Sequence, residues 1–386
     1  MMGQPSSSAQ ASSNASSLAA PSSTAGEVSS STSSQVTLDA GVPTDAGIPT
    51  ERTRARVFIS GHSLTDNPLA DHLLTISASL GTDLQYNQQI GIGSPIRVRT
   101  KGGDTSAAGW PGYSFGKNRD GNNMNVVAEL RSPQTLGVGE VYDTLVLTER
   151  HDLINTVNWE NTVGYARHYV DRLLEGNANA ETQLFHCWLD IDKTDPTLWL
   201  DHETQVATTW ECVAAKINQT LELNGRSASV KMLPAGGALV ALVQRLVANE
   251  VPGITGTLEQ RLSTIFSDNV HMTNVGSYYI ALVTYAAVFR RTPVGAEAPS
   301  ELDANTAAFL QNLAWTHMQD YWLTEATPTI TMAQCRSHTA SQVCASFGAL
   351  RNEPQHVTGC QNTFNSLTSD QNPFVDETSY TPLPAP

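Results

Sequence analysis

Long apolar runs are missing from this 386-residue chain. No stretch approaches the ~18 consecutive apolar residues of a membrane-spanning helix, so we expect no membrane span. Basic residues are also scarce, with 22 Lys and Arg against 37 Asp and Glu and a formal net charge of -15. Such an excess of negative charge would repel a polyanion. The composition therefore argues against a nucleic-acid partner and favours neutral polymers or small neutral esters.

Zinc-type cysteine pairs are absent as well, because none of the five cysteines forms a C-x-x-C motif. We expect no metal and no cofactor, and the natural use of these residues is in disulfides of an exported protein. The odd number leaves at least one thiol unpaired or paired between molecules. We expect one bridge between Cys187 and Cys212 and another among Cys335, Cys344 and Cys360, and the spacing does not fix the pairing.

Large apolar residues are almost absent from residues 1–50, which consist mainly of Ser, Ala, Thr, Gly and Pro. Such a segment cannot bury enough surface to offset its ordering entropy, so we predict a disordered linker. It also lacks the basic and apolar regions of a signal peptide. Because Ser/Ala-rich tethers are common in exported bacterial proteins, we expect a secreted, periplasmic or cell-surface location, with a signal or anchor removed upstream.

Short apolar runs alternate with amphipathic helices from residue 56 onward. Predicted strands cover 56–60, 83–87, 144–148, 183–189 and 229–233, and predicted helices cover 67–80, 157–175, 203–223 and 237–249. This alternation predicts an α/β fold, with a parallel sheet, helices on both faces and a site at the carboxyl ends of the strands. Residues 91–125, rich in Gly, Asn, Ser and aromatics, are too long for a plain connection, and we expect a substrate-facing loop.

The C-terminal third has a different pattern. Residues 278–289 predict a helix that is apolar on nearly all sides and therefore deeply packed. Residues 293–299 resemble a linker, 301–323 predict another helix, and the Cys-bearing tail ends in Pro- and Thr-rich residues that we expect to fray. We predict a catalytic domain over residues 51–295 and a helical, disulfide-bearing appendage over residues 296–386.

The chain is organised around residues 57–66, which read Val-Phe-Ile-Ser-Gly-His-Ser-Leu-Thr-Asp. A buried strand ends near Gly61 and a helical pattern starts at Asn67, so Ser63 should sit in a tight turn near a helix N-terminus. Free N–H groups and the helix dipole favour negative charge there, which suits a nucleophile whose attack creates an oxyanion. The alternative is a helix-capping serine with no chemistry.

Acyl transfer by a serine also needs a general base, a carboxylate that orients the base, and donors for the oxyanion. Asp268 and His271 are three residues apart on one predicted loop, so the carboxylate can reach imidazole Nδ1 while Nε2 faces outward. The alternative for His271 is a cap of the following helix. The joint pattern of G-x-S-x-x-D after the first strand and D-x-x-H before the last core helix favours the catalytic interpretation.

These two motifs resemble blocks of the SGNH (GDSL-type) hydrolase superfamily. Residues 61–66, Gly-His-Ser-Leu-Thr-Asp, look like the first block, and residues 268–271, Asp-Asn-Val-His, look like the last. The stretch Met-Leu-Pro-Ala-Gly at 232–236, before a helix, is also similar. The resemblance covers about residues 56–291 and implies a three-layer, flavodoxin-like fold.

The resemblance also implies roles for individual residues. Ser63 would be the nucleophile, His271 the base and Asp268 the partner that orients the base. The oxyanion hole would use the backbone N–H of Ser63 and of a glycine after the second strand. We favour Gly93 for that glycine, with Gly91 second, and the alternative is that each is an ordinary loop glycine.

The third block of the family, G-x-N-D, is not preserved in this chain. After the predicted strand at 144–148 the sequence reads Glu149-Arg150-His151-Asp152, without the glycine or the asparagine. By position His151 replaces the asparagine, and its imidazole or the Arg150 guanidinium could donate the hydrogen bond. Losing a good donor typically costs ~3 kcal/mol of transition-state stabilisation. The alternative is a polar loop with a solvated Glu149–Arg150 salt bridge.

Three further side chains are candidates near the site. His62 stands where the family usually has Asp or Asn; it could titrate near neutrality and perturb Ser63, but we favour a side chain that points away and is satisfied locally. Trp110 and Tyr113 lie in the long irregular stretch, where each could stack on a sugar face as a substrate-binding residue or anchor the loop.

The function that these observations favour is an exported serine esterase that releases a short acyl group, such as acetyl, from a carbohydrate through an acyl-serine intermediate. The resemblance, the polar aromatic stretch and the lack of a long apolar lid helix support it. One alternative is a polysaccharide O-acetyltransferase with the same triad, since only exclusion of water separates the two. Another is a non-catalytic carbohydrate-binding protein on this fold. The sequence does not specify the oligomeric state.

Overall fold

A seven-stranded, mostly parallel sheet lies at the centre of the computed structural model, which describes residues 49–101, 112–227, 229–325 and 330–384. Its strands are β1 (Arg54–Gly61), β2 (Asp83–Ile90), β3 (Gly116–Asn118), β4 (Asn123–Met124), β5 (Thr144–Leu147), β6 (Glu181–Phe185) and β7 (Val230–Leu233), in the order β4-β3-β2-β1-β5-β6-β7. The five strands predicted from the sequence are all present and run parallel. Their carboxyl ends therefore meet at one edge of the sheet.

Helices fill the connections between these strands. They are α1 (Leu69–Ser79), α2 (Ile96–Lys101), α3 (Val126–Arg131), α4 (Leu153–Trp159), α5 (Thr162–Gly176), α6 (Thr197–Leu223), α7 (Ala235–Val247), α8 (Leu258–Ser263), α9 (Asn274–Phe289), α10 (Ala304–Glu325), α11 (Met332–His338), α12 (Cys344–Leu350) and α13 (Pro354–Asn365). The predicted helix over 157–175 is two helices, because Asn161 adopts a left-handed conformation with φ of 48°. Its side chain accepts a hydrogen bond from Gly164 N–H and starts α5 anew.

The helices flank the sheet in two groups. In the first, α1 packs against α9, which also contacts α7, α10, β1 and β7; in the second, α5 packs against α2, α3 and α6 and contacts β5. Every residue of α9 from Val275 to Phe289 is buried, as predicted for a helix that is apolar on nearly all sides. No helix in the described ranges has both the length and the apolar character needed to cross a membrane.

The stretch at residues 91–125 contains regular structure in its described part. It includes α2, a 3₁₀ turn at Gly112–Ser114 and the short strands β3 and β4, and β3 pairs antiparallel with β2. The expectation of an irregular loop is therefore wrong for these residues. Added strands satisfy the backbone N–H and C=O groups that an open edge at β2 would leave unpaired. Trp110 and residues 1–48 of the predicted linker lie outside the described residues.

Two disulfides hold the C-terminal helices. Cys212 of α6 is bonded to Cys335 of α11, and Cys344 is bonded to Cys360. The prediction of a pair among the last three cysteines is confirmed, but the predicted Cys187–Cys212 bridge is wrong. Cys187 lies in the protein interior as a free thiol that donates to a backbone carbonyl at 3.2 Å. Burial raises the pKa of this thiol, which keeps it protonated.

The C-terminal tail is packed along α5 and α6, so the expectation that it frays is wrong. Lys216 Nζ donates to the Val375 carbonyl at 2.7 Å, and Asn224 Nδ2 donates to the Tyr380 carbonyl at 3.0 Å. The Arg167 guanidinium lies 5.3 Å from the centroid of the Tyr380 ring. The tail is thus held by polar contacts as well as by packing, and it belongs to the same compact unit as the sheet.

Candidate active site

Ser63 lies in a tight turn just beyond β1. The turn runs from His62 to Thr65, whose N–H donates to the His62 carbonyl at 2.9 Å. A Cβ at Gly61 would lie 1.8 Å from Thr65 Oγ1, so only glycine lets this turn close as it does. α1 begins several residues later, with Pro68 at its N-cap. Ser63 is partly exposed and caps no helix.

Asp268 and His271 lie in the short loop before α9. Asp268 Oδ1 accepts the backbone N–H groups of Val270 and His271, both at 2.7 Å, which closes the loop around the carboxylate. Asp268 Oδ2 lies 2.7 Å from His271 Nδ1. The N-cap of α9 is Thr273, whose hydroxyl accepts the Gly276 N–H, so His271 does not cap this helix.

The fold brings these two segments into contact. His271 Nε2 lies 3.0 Å from Ser63 Oγ, so hydroxyl, imidazole and carboxylate form one hydrogen-bonded chain. Burial tends to raise the pKa of Asp268, but the N–H groups of His271 and Val270 and the imidazole together lower it to about 2. The ionised carboxylate holds a proton on Nδ1 and leaves Nε2 to accept the Ser63 proton. A chain with this geometry can activate a serine hydroxyl as a nucleophile, with the imidazole as the base.

The loop after β6 supports the loop that carries Asp268 and His271. Trp188 Nε1 donates to the Val270 carbonyl at 2.9 Å. The supporting loop is fixed in turn by Glu203 of α6, whose carboxylate accepts the Leu189 N–H at 2.7 Å. Trp188 and Glu203 are both buried. In the sequence, Trp188 has apolar neighbours and reads as an ordinary core residue, so no local signal indicates this contact.

The loop after β5 carries a buried carboxylate rather than a solvated ion pair. Glu149 Oε1 accepts the backbone N–H groups of Ile96 at 3.0 Å and of Arg150 at 2.7 Å. The Arg150 guanidinium pairs with Asp152, with Nε 2.6 Å from Oδ1. The alternative of a solvated Glu149–Arg150 salt bridge is therefore wrong, because the Glu149 carboxylate is buried and accepts hydrogen bonds from backbone N–H groups. Burial raises the pKa of Glu149 above its ordinary value.

Arg99 of α2 ties together the ends of β1 and β5. Its Nε donates to Ser60 Oγ at 3.1 Å, and its two terminal nitrogens donate to the Ser94 carbonyl at 2.6 Å and to the Thr148 carbonyl. Arg99 is fully buried, and burial lowers its pKa. Sequence reasoning missed this residue, since nothing local distinguishes it from Arg97, which is only partly buried.

The two glycines predicted for the oxyanion hole differ in whether their backbone N–H is free to bind a substrate oxygen. Gly91 N–H already donates to the Gly61 carbonyl at 2.8 Å, so this second choice is not free to bind a substrate. Gly93 is exposed and has a φ of +66°, in a turn that the Ser94 N–H closes on the Gly91 carbonyl at 2.9 Å. The left-handed conformation alone requires a glycine at 93. Gly93 stays the better candidate of the two.

His62, the neighbour of Ser63, is buried and does not titrate near neutrality. Its Nε2 lies 3.0 Å from the Glu149 carbonyl, and its Nδ1 accepts the Leu64 N–H at 3.4 Å. Burial, reinforced by the charge of Arg99, lowers its pKa to about 3. His62 therefore agrees with the favoured interpretation, in which its side chain is hydrogen-bonded locally.

His151 is half-buried on the loop after β5, with its ring centroid 6.2 Å from that of His62. Burial lowers the pKa of His151, so its imidazole is neutral at neutral pH and has one N–H to donate. Because β5 pairs in parallel with β1, the loop after β5 lies next to the turn that holds Ser63. His151 is thus near the place where a third oxyanion donor would be needed.

Tyr113 is part of the core. Its hydroxyl lies 2.9 Å from His168 Nδ1, and its ring centroid lies 5.2 Å from that of Tyr169. The side chain is only 5% exposed, so it is not available to stack on a sugar. Of the two roles considered for Tyr113, loop anchoring fits these contacts.

A cavity of about 170 Å³ opens beside Ser63 and His271. Its other walls combine apolar and polar side chains: Leu64, Pro68, Leu69, Met272 and Ile280 on one hand, and Asp66, Asn67 and Ser277 on the other. Of the predicted oxyanion donors, Ser63 lines this cavity and Gly91, Gly93 and His151 do not. Among the described residues, no group of three or more His, Cys, Asp or Glu side chains is arranged to hold a metal ion.

No family model matches this sequence, and no curated protein matches it either. Among solved structures, it is similar to one described as a DUF4886 family protein from Bacteroides uniformis ATCC 8492. The two are 13% identical, with a TM-score of 0.48, and the alignment covers 70% of this chain and 99% of that chain. This similarity is too distant to indicate an activity.

Proposed function

We propose that this protein is an SGNH-type serine esterase that hydrolyses short-chain acyl esters. The observation that carries the proposal is the hydrogen-bonded chain from Ser63 Oγ through His271 to Asp268, with distances of 3.0 Å and 2.7 Å. The three residues come from two segments far apart in sequence, and a structural role for the chain would not need a partly exposed hydroxyl at its end.

In the proposed reaction, Ser63 Oγ attacks the ester carbonyl carbon while His271 Nε2 takes the hydroxyl proton. The carbonyl oxygen becomes an oxyanion, for which the N–H groups of Ser63, Gly93 and His151 are the candidate donors. The C–O bond to the alcohol then breaks, and His271 returns the proton to the leaving oxygen. Water attacks the acyl-serine with His271 again as base, and the acid is released.

The strand order supports the finer fold assignment. Numbered among themselves, the five parallel strands follow the order 2-1-3-4-5, which is that of flavodoxin-like, doubly wound sheets. Ligands of such sheets bind outside the carboxyl ends of the strands. Ser63 and His151 follow β1 and β5 at that edge, in agreement with an SGNH-like architecture.

The surroundings of the triad favour hydrolysis of a short acyl group. The side chains of His271 and Asp268 are 43% and 57% exposed, so water reaches the base freely. An acetyltransferase would need to exclude that water from its acyl-serine. The cavity beside Ser63 is only about 170 Å³ in volume and has apolar side chains in part of its wall, which suits a small acyl group.

The two disulfides support the proposed export. Disulfides form and persist in oxidising compartments such as the extracellular space or the bacterial periplasm. Both bridges in this chain join buried or half-buried sulfurs between packed helices, as structural disulfides do. A secreted or periplasmic location is therefore the one we propose.

Hydrolysis of p-nitrophenyl acetate tests the proposal. Ser63→Ala should lower kcat by at least roughly 10³-fold, because it removes the hydroxyl that forms the acyl-enzyme in the proposed mechanism. Ser341→Ala, which removes an exposed serine hydroxyl elsewhere, is the matched control and should retain activity. A fluorophosphonate should label the wild-type protein and the control but not Ser63→Ala. Full activity of Ser63→Ala would overturn the mechanism.

A further inference from the structure

An exposed tryptophan stands at the end of α4. Trp159 is 70% exposed, and it is the last residue of a helix whose N-cap, Asp152, directly follows His151. α4 is roughly 10 Å long, so Trp159 is about that far from the loop beside the candidate active site. Tryptophan side chains are enriched at binding interfaces, so an exposed one is a candidate for a binding role. The proposed esterase mechanism leaves Trp159 without one.

Two grooves meet at this ring. One, of about 540 Å³, lies between α4 and the pair α12 and α13, and the other, of about 630 Å³, lies between the start of α5 and the C-terminal tail. Trp159 and Asn158 line both grooves. Each groove falls within the roughly 300–1,000 Å³ range of ligand sites. Together they form one continuous surface, which we call the Trp159 surface.

The Trp159 surface offers hydrogen bonds and has no excess of positive charge, since its charged side chains are Arg351, Lys216, Glu353, Glu377 and Asp370. Its cations are already paired within the protein: Arg351 lies 3.3 Å from Glu353, and Lys216 lies 3.3 Å from Glu377. Amide and hydroxyl side chains supply most of the remaining polar atoms, among them Asn155, Gln355, Asn161 and Ser369. The Asn158 side-chain oxygen is buried and has no hydrogen-bond partner in the described part of the chain.

These features define the ligand chemistry. A sugar ring presents C–H groups on its face, which pack on an indole, and hydroxyls around its rim, which bond to amides. A polyanion would find no unpaired cations here and an overall charge of -15 against it. We propose that the Trp159 surface binds a chain of neutral sugars, with one residue on the indole and neighbours in the two grooves. This deepens the proposed function, on which it rests for the ester, by naming a neutral polysaccharide as the carrier.

Binding is tested in the Ser63→Ala protein, so that turnover does not alter the ligand. Isothermal titration calorimetry with acetylated xylo-oligosaccharides should show saturable binding, and polygalacturonate should not bind. Trp159→Ala in that background should weaken binding roughly tenfold, and Trp159→Phe should restore most of it. Leu198→Ala removes a half-exposed apolar side chain outside both grooves and serves as the matched control that keeps full affinity.

Three results would overturn the inference: no binding of the neutral oligosaccharide by folded Ser63→Ala protein, equal affinities for the Trp159→Ala and Leu198→Ala variants, or preference for the polyanion. Circular dichroism melting of each variant checks that it is folded. Oligosaccharide binding without Ser63-dependent ester hydrolysis would defeat the esterase proposal alone. Ser63-dependent hydrolysis without a contribution of Trp159 to binding would defeat this inference alone.

Discussion

In the hydrogen-bonded chain from Asp268 through His271 to Ser63, each acceptor determines where the proton of its neighbour lies. The Asp268 carboxylate, ionised because its pKa is about 2, accepts hydrogen bonds from two backbone N–H groups and from the Nδ1–H of His271. These three hydrogen bonds therefore hold the carboxylate in place without a bound ligand. The imidazole can present only its unprotonated Nε2 to the serine hydroxyl.

Replacing that carboxylate tests this dependence. Asp268→Asn should lower kcat roughly 10³-fold, because an amide can hold His271 in the wrong tautomer while leaving the loop folded. Asp303→Asn is the matched control: Asp303 also accepts two backbone N–H groups, from Asn305 and Thr306, but contacts no imidazole. Steady-state kinetics on p-nitrophenyl acetate would measure both. Equal activities of the two variants would contradict the proposed role of Asp268.

The role of a residue could be predicted from the sequence where its contacts are with residues nearby in the chain. The contact between Asp268 and His271 could be predicted from their spacing. Ser63 could be predicted as a nucleophile from its position after a strand. Whether Gly91 or Gly93 has a free N–H depends on the pairing register of β1 and β2, which uses the N–H of Gly91. Arg99 is held by contacts with two distant residues, Ser60 and Thr148, and no local sequence pattern indicates such contacts.

At the scale of elements, the loop after β6 is what links the core to the candidate site. Its Trp188 holds the carbonyl of Val270, next to His271, and its Leu189 N–H is held by Glu203. The strand at 183–189 was predicted as continuous, but β6 ends at Phe185. The apolar run goes on past the end of the sheet because Trp188 and Leu189 are buried in the loop itself.

Two aromatic variants separate support of the site from support of the fold. Trp188→Phe removes the hydrogen bond to the Val270 carbonyl, and Tyr279→Phe removes the hydrogen bond from a buried ring to the Ala238 carbonyl in α7. Both should lower the free energy of unfolding by about 1 kcal/mol. Only Trp188→Phe should also lower kcat, roughly tenfold with little change in KM, because it frees the loop that carries His271. Equal kcat values for the two variants would show that Trp188 has no positioning role.

The disulfides should contribute unequally to stability. Cys212–Cys335 closes a loop with a sequence separation of 123, against 16 for Cys344–Cys360. By loop-closure entropy, the double variant Cys212→Ala/Cys335→Ala should lose roughly 2 kcal/mol more than Cys344→Ala/Cys360→Ala. Urea unfolding of both double variants measures the difference, and the reverse order would show that loop entropy does not dominate here.

On the scale of the whole molecule, buried histidines make the fold sensitive to acid. Burial lowers the pKa of His62 to about 3 and that of His317 to about 4, from an ordinary value near 6.5. Between pH 6.5 and 4 the unfolded chain binds protons at these positions that the folded chain does not. Their contribution is therefore complete above pH 6.5 and is lost as pH falls toward the folded pKa values.

The free energy of unfolding should consequently fall by about 1.4 kcal/mol per pH unit for each of these two histidines below pH 6. Urea midpoints at pH 7.5, 5.5 and 4.5 would show this slope. His62→Gln keeps an N–H for the Glu149 carbonyl but cannot be protonated, so its slope should be shallower. His356→Gln, at an exposed position, controls for the substitution itself. A His62→Gln slope equal to that of the wild type would exclude His62 as a source.

The bridge between Cys212 and Cys335 also has a mechanical consequence. If the chain is pulled from its two ends, the segment between these cysteines cannot lengthen until the bond is reduced, which withholds roughly 400 Å of contour length. Asp268 and His271 lie inside that clamped segment, whereas Ser63 lies outside it. Tension would therefore separate the serine from a histidine and aspartate that stay together, and reduction would appear in a single-molecule trace as one additional long extension step.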